Sequence, residues 1–185
     1  MSNLPASRTR PTRRTWLAMG AALALPLPAL AATFSEITWL ELVPQGWDPA
    51  KTLQAQQPDL AGLSDTDPRA EKALEELRRI WDNAPTVPSL AGRMVKLPGY
   101  LVPLEEGKYG IREFLLVPYF GACIHTPPPP SNQIVLGRTA KPFKGLRTMD
   151  AVWASGRLQI ERADSSMGVA SYAMQVERVV KYQAS

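Results

Sequence analysis

One run of the chain concentrates the side chains able to do chemistry: Phe120-Gly121-Ala122-Cys123-Ile124-His125-Thr126-Pro127-Pro128-Pro129-Pro130-Ser131-Asn132-Gln133. It holds the only cysteine and the only histidine of the chain, two positions apart. In an extended backbone residues i and i+2 face the same side. Cys123 and His125 are therefore expected to look into one space, with Ile124 behind them. Thr126 precedes a proline and is biased toward extended geometry. Pro127, Pro128, Pro129 and Pro130 are expected to form a stiff rod without backbone donors, holding the pair in place.

Three chemistries fit such a pair. A thiolate and an imidazole are preferred ligands of Zn(II) and Cu(I). Zinc asks for about four ligands, so Glu113, Asp150, a water or a second chain would have to complete its shell, whereas Cu(I) tolerates fewer. Asn132 and Gln133 are further candidates for the same site. Alternatively, the imidazole lowers the thiol pKa and makes Cys123 a nucleophile or redox group, although no orienting third residue or oxyanion motif accompanies it. The third reading is structural, with Cys123 as a small buried hydrophobe and His125 bonded to backbone or to Asn132. The proline run divides in the same way: a stiff connection, or a ligand face for a partner with an aromatic groove.

The elements that must position this run are mostly strands. From Met94 onward the pattern is extended. Met94–Leu104 carries a bend at Pro98-Gly99, residues 105–110 read as a hairpin loop, and Phe114–Val117 is apolar on both faces like a central strand. Ile134–Leu136 is a short strand. Val152, Ala154, Gly156, Leu158 and Ile160 alternate with polar neighbours, and after a turn at residues 164–168 a last strand runs to near Tyr182. Five strands, with a glycine inside a long one at a barrel corner, predict a mainly β domain, a small OB-like barrel. One amphipathic helix, 68–82, is expected to cover it. Asp67 caps that helix, Pro68 opens it, and Leu74, Leu77 and Trp81 line one face with Ile80, while Glu75 and Arg79 pair outside. Residues 32–66 are expected to be extended and irregular, with 67–185 forming the OB-like domain.

Residues 1–31 are expected to be a signal peptide. Arg8, Arg10, Arg13 and Arg14 precede an apolar run, Trp16–Leu30, that closes on Ala29-Leu30-Ala31, a small-x-small cleavage pattern. Thr12-Arg13-Arg14-Thr15-Trp16-Leu17 also resembles the twin-arginine signature. The run falls short of the roughly twenty apolar residues needed to span a bilayer. Export into the periplasm is therefore expected, with no stable membrane insertion afterwards. Taking the four signal arginines from 21 basic residues leaves 17 against 17 acidic ones, so nothing attracts phosphate backbones, and nucleic-acid binding is not expected. A single cysteine excludes an internal disulfide. A lone thiol in an oxidising compartment must be buried, ligated or purposely reactive.

The sequence resembles an exported bacterial family, domain of unknown function 3299. The resemblance rests on Ile37-Thr38-Trp39 with Gly46-Trp47-Asp48-Pro49, on Pro98-Gly99-Tyr100 with Val102-Pro103-Leu104-Glu105, and most specifically on Phe114–His125 with the prolines and Asn132-Gln133. Val152-Trp153, Gly156 with Leu158, and Gly168 with Tyr172 extend it to the C-terminus. It implies an accessory to transport or metal homeostasis, with an ABC transporter component or another envelope protein as partner. The reading that results is a non-enzymatic periplasmic domain binding Zn(II) or Cu(I) through Cys123 and His125. The alternatives are a thiol-dependent enzyme or redox protein using Cys123, and an interaction module using Pro127–Pro130.

Overall fold

The computed structural model describes residues 33–56, 67–123 and 128–183, except the side chain of Glu106. The expected signal peptide and the His125 side of the chemical run, residues 124–127, lie outside them. In chain order the elements are β1 (Ser35–Glu36), α1 (Pro49–Gln56), α2 (Pro68–Asp82), β2 (Met94–Pro103), β3 (Glu106–Gly107), β4 (Gly110–Val117), β5 (Val135–Phe143), β6 (Ala151–Ser165) and β7 (Gly168–Lys181). Short 3-10 turns stand at Trp39–Leu42, Pro88–Leu90 and Ser131–Gln133.

The domain is mainly β, as the alternation predicts. β2 pairs antiparallel with both β4 and β6, β4 with β5, and β6 with β7, while β5 and β7 run parallel. Five strands thereby close a ring, β2-β4-β5-β7-β6, with OB-like connectivity. β1 adds to β2, and β3 forms the hairpin with β4. β2 serves two neighbours by changing partner: Met94–Tyr100 lie against β6 and Tyr100–Pro103 against β4. Pro98-Gly99, expected to bend the chain, lies within the continuous strand directly before that change.

Side chains alternate across each strand, so β4 buries both faces. Phe114 and Leu116 join Val95, Leu97 and Leu158 in one core cluster, while Leu115 and Val117 join Leu136 and Ala173 in a second. Ala122 and Ile134, from the long connection between β4 and β5, belong to the second cluster. That connection is thus held against the sheet by apolar burial.

The first cluster also takes in Ile37, Leu42 and Leu90, which come from the N-terminal turns. Fully buried Tyr172 ties these turns down. Its hydroxyl donates to the Leu42 carbonyl (2.8 Å) and accepts the Val87 N–H (2.7 Å). The 3-10 turns therefore pack on the ring core, and α2 lies further out. Only Ala73 of α2 is buried, and Leu74, expected on the covered face, is 60% exposed. Arg79 pairs with Glu76 (3.1 Å) instead of Glu75.

The helix starts as expected, with the Asp67 carboxylate accepting the Arg69 N–H (2.9 Å) and Pro68 following it. A second helix, α1, occupies part of the segment expected to be irregular. Its capping repeats that of α2, with the Asp48 carboxylate accepting the Ala50 N–H (2.9 Å) ahead of Pro49. Among the described residues no helix is long and apolar enough to cross a membrane.

Candidate functional site

Cys123 lies beyond the end of β4 and packs against the second core cluster. The extended backbone expected there is absent. Cys123 has φ 66°, in the left-handed region, because the chain turns after β4, with the Ala122 N–H bonding the Tyr119 carbonyl (3.4 Å). The same-side rule for positions i and i+2 therefore does not apply at Cys123, and His125 lies outside the described residues.

Only one other described non-glycine residue has positive φ: Met149, at 65°. Such a backbone costs about 1 kcal/mol or more for a residue with a Cβ, so packing must hold it. Both strained positions pack against the same cluster. The Gly121 N–H donates to Met149 Sδ at 3.2 Å, and the Met149 N–H reaches the Leu101 carbonyl at 2.7 Å. Met167, in the turn between β6 and β7, packs against the same second cluster as Cys123 and Met149. Three turns far apart in sequence thus bring a thiol and two thioethers to one apolar patch.

Burial pushes the Cys123 thiol up from 9.0 to about 11. That shift leaves about a hundredfold less thiolate at pH 7 than a thiol at 9.0 would show. Alkylation by iodoacetamide is expected to be correspondingly slow at pH 7 and to accelerate as pH rises from 9 toward 11. Because the folded state holds this proton longer than the unfolded chain, Cys123 also subtracts from stability across that window. Rapid alkylation at pH 7 would show that the sulfur is less enclosed than described.

The remaining residues expected at the site are engaged elsewhere. Glu113 accepts from Arg138 Nε (3.0 Å), and Arg138 reaches Glu161 (2.7 Å). Asp150 accepts the Arg147 N–H (3.0 Å), which with Lys181 holds its carboxyl below the usual range. Asn132 is fully buried and donates to the Pro85 carbonyl (2.9 Å), and Gln133 donates to the Trp39 carbonyl (2.8 Å). These two amides join the connection after the prolines to the N-terminal turns. Pro129 is buried, and Pro128 packs where a Cβ on Gly168 would come within 3.0 Å. The described part of the proline run is therefore integrated into the domain.

Among the described residues no group of three or more His, Cys, Asp or Glu side chains could hold a metal ion. The soft donors that pack against the same cluster as Cys123 are instead thioethers, which residue spacing does not reveal. Met149 stands alone before Asp150 and Met167 alone in a hairpin turn. Only the fold brings them to the cluster that Cys123 packs against.

The family described as "Protein of unknown function (DUF3299)" matches residues 39–181. A crystal structure of a DUF3299 family protein from Pseudomonas aeruginosa PAO1 is similar at 39% identity and a TM-score of 0.64, covering 83% of this chain and 99% of that one. No curated protein matches the chain.

Proposed function

The chain belongs to the DUF3299 family, whose function is not described, and from that premise we propose that it is a non-enzymatic exported accessory domain that takes up a soft metal ion, Cu(I) in preference to Zn(II), at Cys123. The observation that carries this reading is the convergence of Cys123, Met149 and Met167 on one apolar cluster. Thiol and thioether donors favour Cu(I). Zinc prefers a tetrahedral shell of thiolate, imidazole and carboxylate, and the carboxylates nominated for it are bound to cations or backbone N–H groups. His125, two residues beyond Cys123, is the imidazole available to complete the donor set.

The raised thiol pKa weighs against a nucleophilic cysteine. It does not prevent ligation, because a bound metal displaces the proton. Export is supported by the arginine-rich start, the apolar run and Ala29-Leu30-Ala31. A partner in an ABC transport system or elsewhere in the envelope rests on the family resemblance, and the balanced charge of the remaining chain favours a protein partner over nucleic acid.

Anaerobic titration of the purified protein against a chromophoric Cu(I) chelator tests the proposal. One equivalent of Cu(I) is expected to bind, more tightly than Zn(II). Cys123→Ser is expected to weaken binding by about a hundredfold. Met149→Leu, which keeps the volume and removes the sulfur, is expected to weaken it by about tenfold. Equal Cu(I) affinity in all three proteins would sink the assignment.

A further inference from the structure

The ring closes over only part of the length of β5 and β7. Their parallel pairing ends at Thr139 opposite Val176, yet β5 runs on to Phe143 and β7 to Lys181. Beyond that point each strand keeps a neighbour on its far side alone: Phe143 lies opposite Ile111 of β4, and residues 178–181 lie opposite β6. The two facing edges border a groove of about 390 Å³, with Ala140, Lys141 and Phe143 on one wall and Glu177, Arg178 and Val179 on the other. Among the described residues no backbone pairing crosses it.

Open strand edges are templates for another extended chain, and three features state which chain fits. Main-chain donors and acceptors are what the edges lack, and an extended peptide supplies both at the strand repeat. The floor is apolar, because Phe143 and Val179 pack against the first core cluster. The rim is cationic. Lys141 and Arg178 are exposed and meet no carboxylate among the described residues. Two more unpaired cations flank them: Arg112, whose carbonyl accepts the Thr139 hydroxyl (3.2 Å), and Lys144, which follows Phe143. Against these, Glu177 is the one carboxylate among the described residues lining the groove. This imbalance attracts an acidic partner and keeps copies of the edge apart, as charges on edge strands do.

We propose that this groove takes an extended acidic segment of a partner protein, added as a strand along residues 177–181 of β7. Its apolar side chains turn toward Phe143 and Val179, and its carboxylates toward Lys141 and Arg178. Strand addition draws affinity from main-chain hydrogen bonds and specificity from alternate side chains. Residues 177–181 offer about 17 Å of edge, enough for a segment of about five residues. The inference goes beyond the metal reading, because Cys123, Met149 and Met167 do not line the groove, and either can fail without the other.

Titrating the purified protein with an acetylated, amidated octapeptide of alternating valine and glutamate, read by backbone amide resonances and amide hydrogen exchange, tests this. Saturable shifts are expected at 140–143 and 177–181, with slowed exchange at 177–181. The matching valine–lysine peptide is expected to bind about tenfold or more weakly. So is the valine–glutamate peptide N-methylated at every residue, which has no main-chain donors within the strand. In Lys141→Glu/Arg178→Glu, where both changes are at exposed positions, the preference between the two charged peptides is expected to reverse. An unchanged thermal transition checks that this variant is folded. No saturation at millimolar peptide, equal binding of the N-methylated peptide, or an unreversed preference in the folded double variant overturns the proposal. So does binding of phosphatidylglycerol vesicles or polyuridylate without binding of the peptide, which would make the cations a membrane or RNA surface.

Discussion

Tyr172→Phe is expected to lower the stability of the domain by about 2–4 kcal/mol, the cost of leaving a buried donor and a buried acceptor unpaired. The ring would still fill its place in the core. What disappears is one hydroxyl that bonds both the Leu42 carbonyl and the Val87 N–H, the points where the N-terminal turns meet the ring. For a domain of this size the loss corresponds to a fall in Tm of about 5–15 °C.

Tyr182→Phe is the matched control, since Tyr182 is 44% exposed and its hydroxyl has no described partner. It should stay within about 0.5 kcal/mol of the parent. Burial also raises the Tyr172 pKa above 10.0. The folded state therefore keeps that proton where the unfolded chain has lost it, and stability should fall as pH rises past 10.0. Parent-like melting of the Phe variant would mean that the turns are held by apolar packing alone.

Gly156→Ala is expected to cost about 3 kcal/mol, at the severe end for overpacking. Position 156 lies where the β6–β7 register shifts, with Ser155 opposite Arg178 and Gly156 opposite Val176. A Cβ there would collide with the Gln175 carbonyl oxygen and sit 2.8 Å from its carbon and 2.9 Å from Val176 Cα. These are backbone atoms of a central strand and cannot swing aside, so the two longest strands would have to separate locally. Near-UV circular dichroism and urea unfolding would show it as lost aromatic packing and an earlier midpoint. Gly107→Ala, whose new Cβ would come no nearer than 3.8 Å to Gly110 O, should unfold like the parent.

The strand content, the last hairpin and the doubly buried Phe114–Val117 were legible because alternation and turn residues are local signals. Gly156 was legible as a special position for the same reason, since a glycine inside an alternating strand has no packing role of its own. The parallel pairing of β5 with β7, which closes the ring, joins segments separated by the whole of β6, and no local pattern encodes it. Helix α1 was legible in principle. Asp48-Pro49 repeats the Asp67-Pro68 start of α2, but the following residues lack a strong apolar stripe, so the capping signal stood alone.

The candidate site divides in the same way. Cys123 stands out in any reading as the single thiol. Its left-handed backbone depends on how the connection turns after β4, and the thioethers that share its cluster arrive from two other turns. Periodicity tells which face of a strand a residue occupies; it does not tell which loops meet over that face.

Copper K-edge X-ray absorption of the Cu(I)-loaded protein probes the proposed metal site most directly, because it reads the atoms bound to the metal. A first shell containing sulfur is expected, with the sulfur contribution reduced in Met149→Leu and lost or rebuilt in Cys123→Ser. A first shell of nitrogen and oxygen alone, unchanged in both variants, would contradict the assignment.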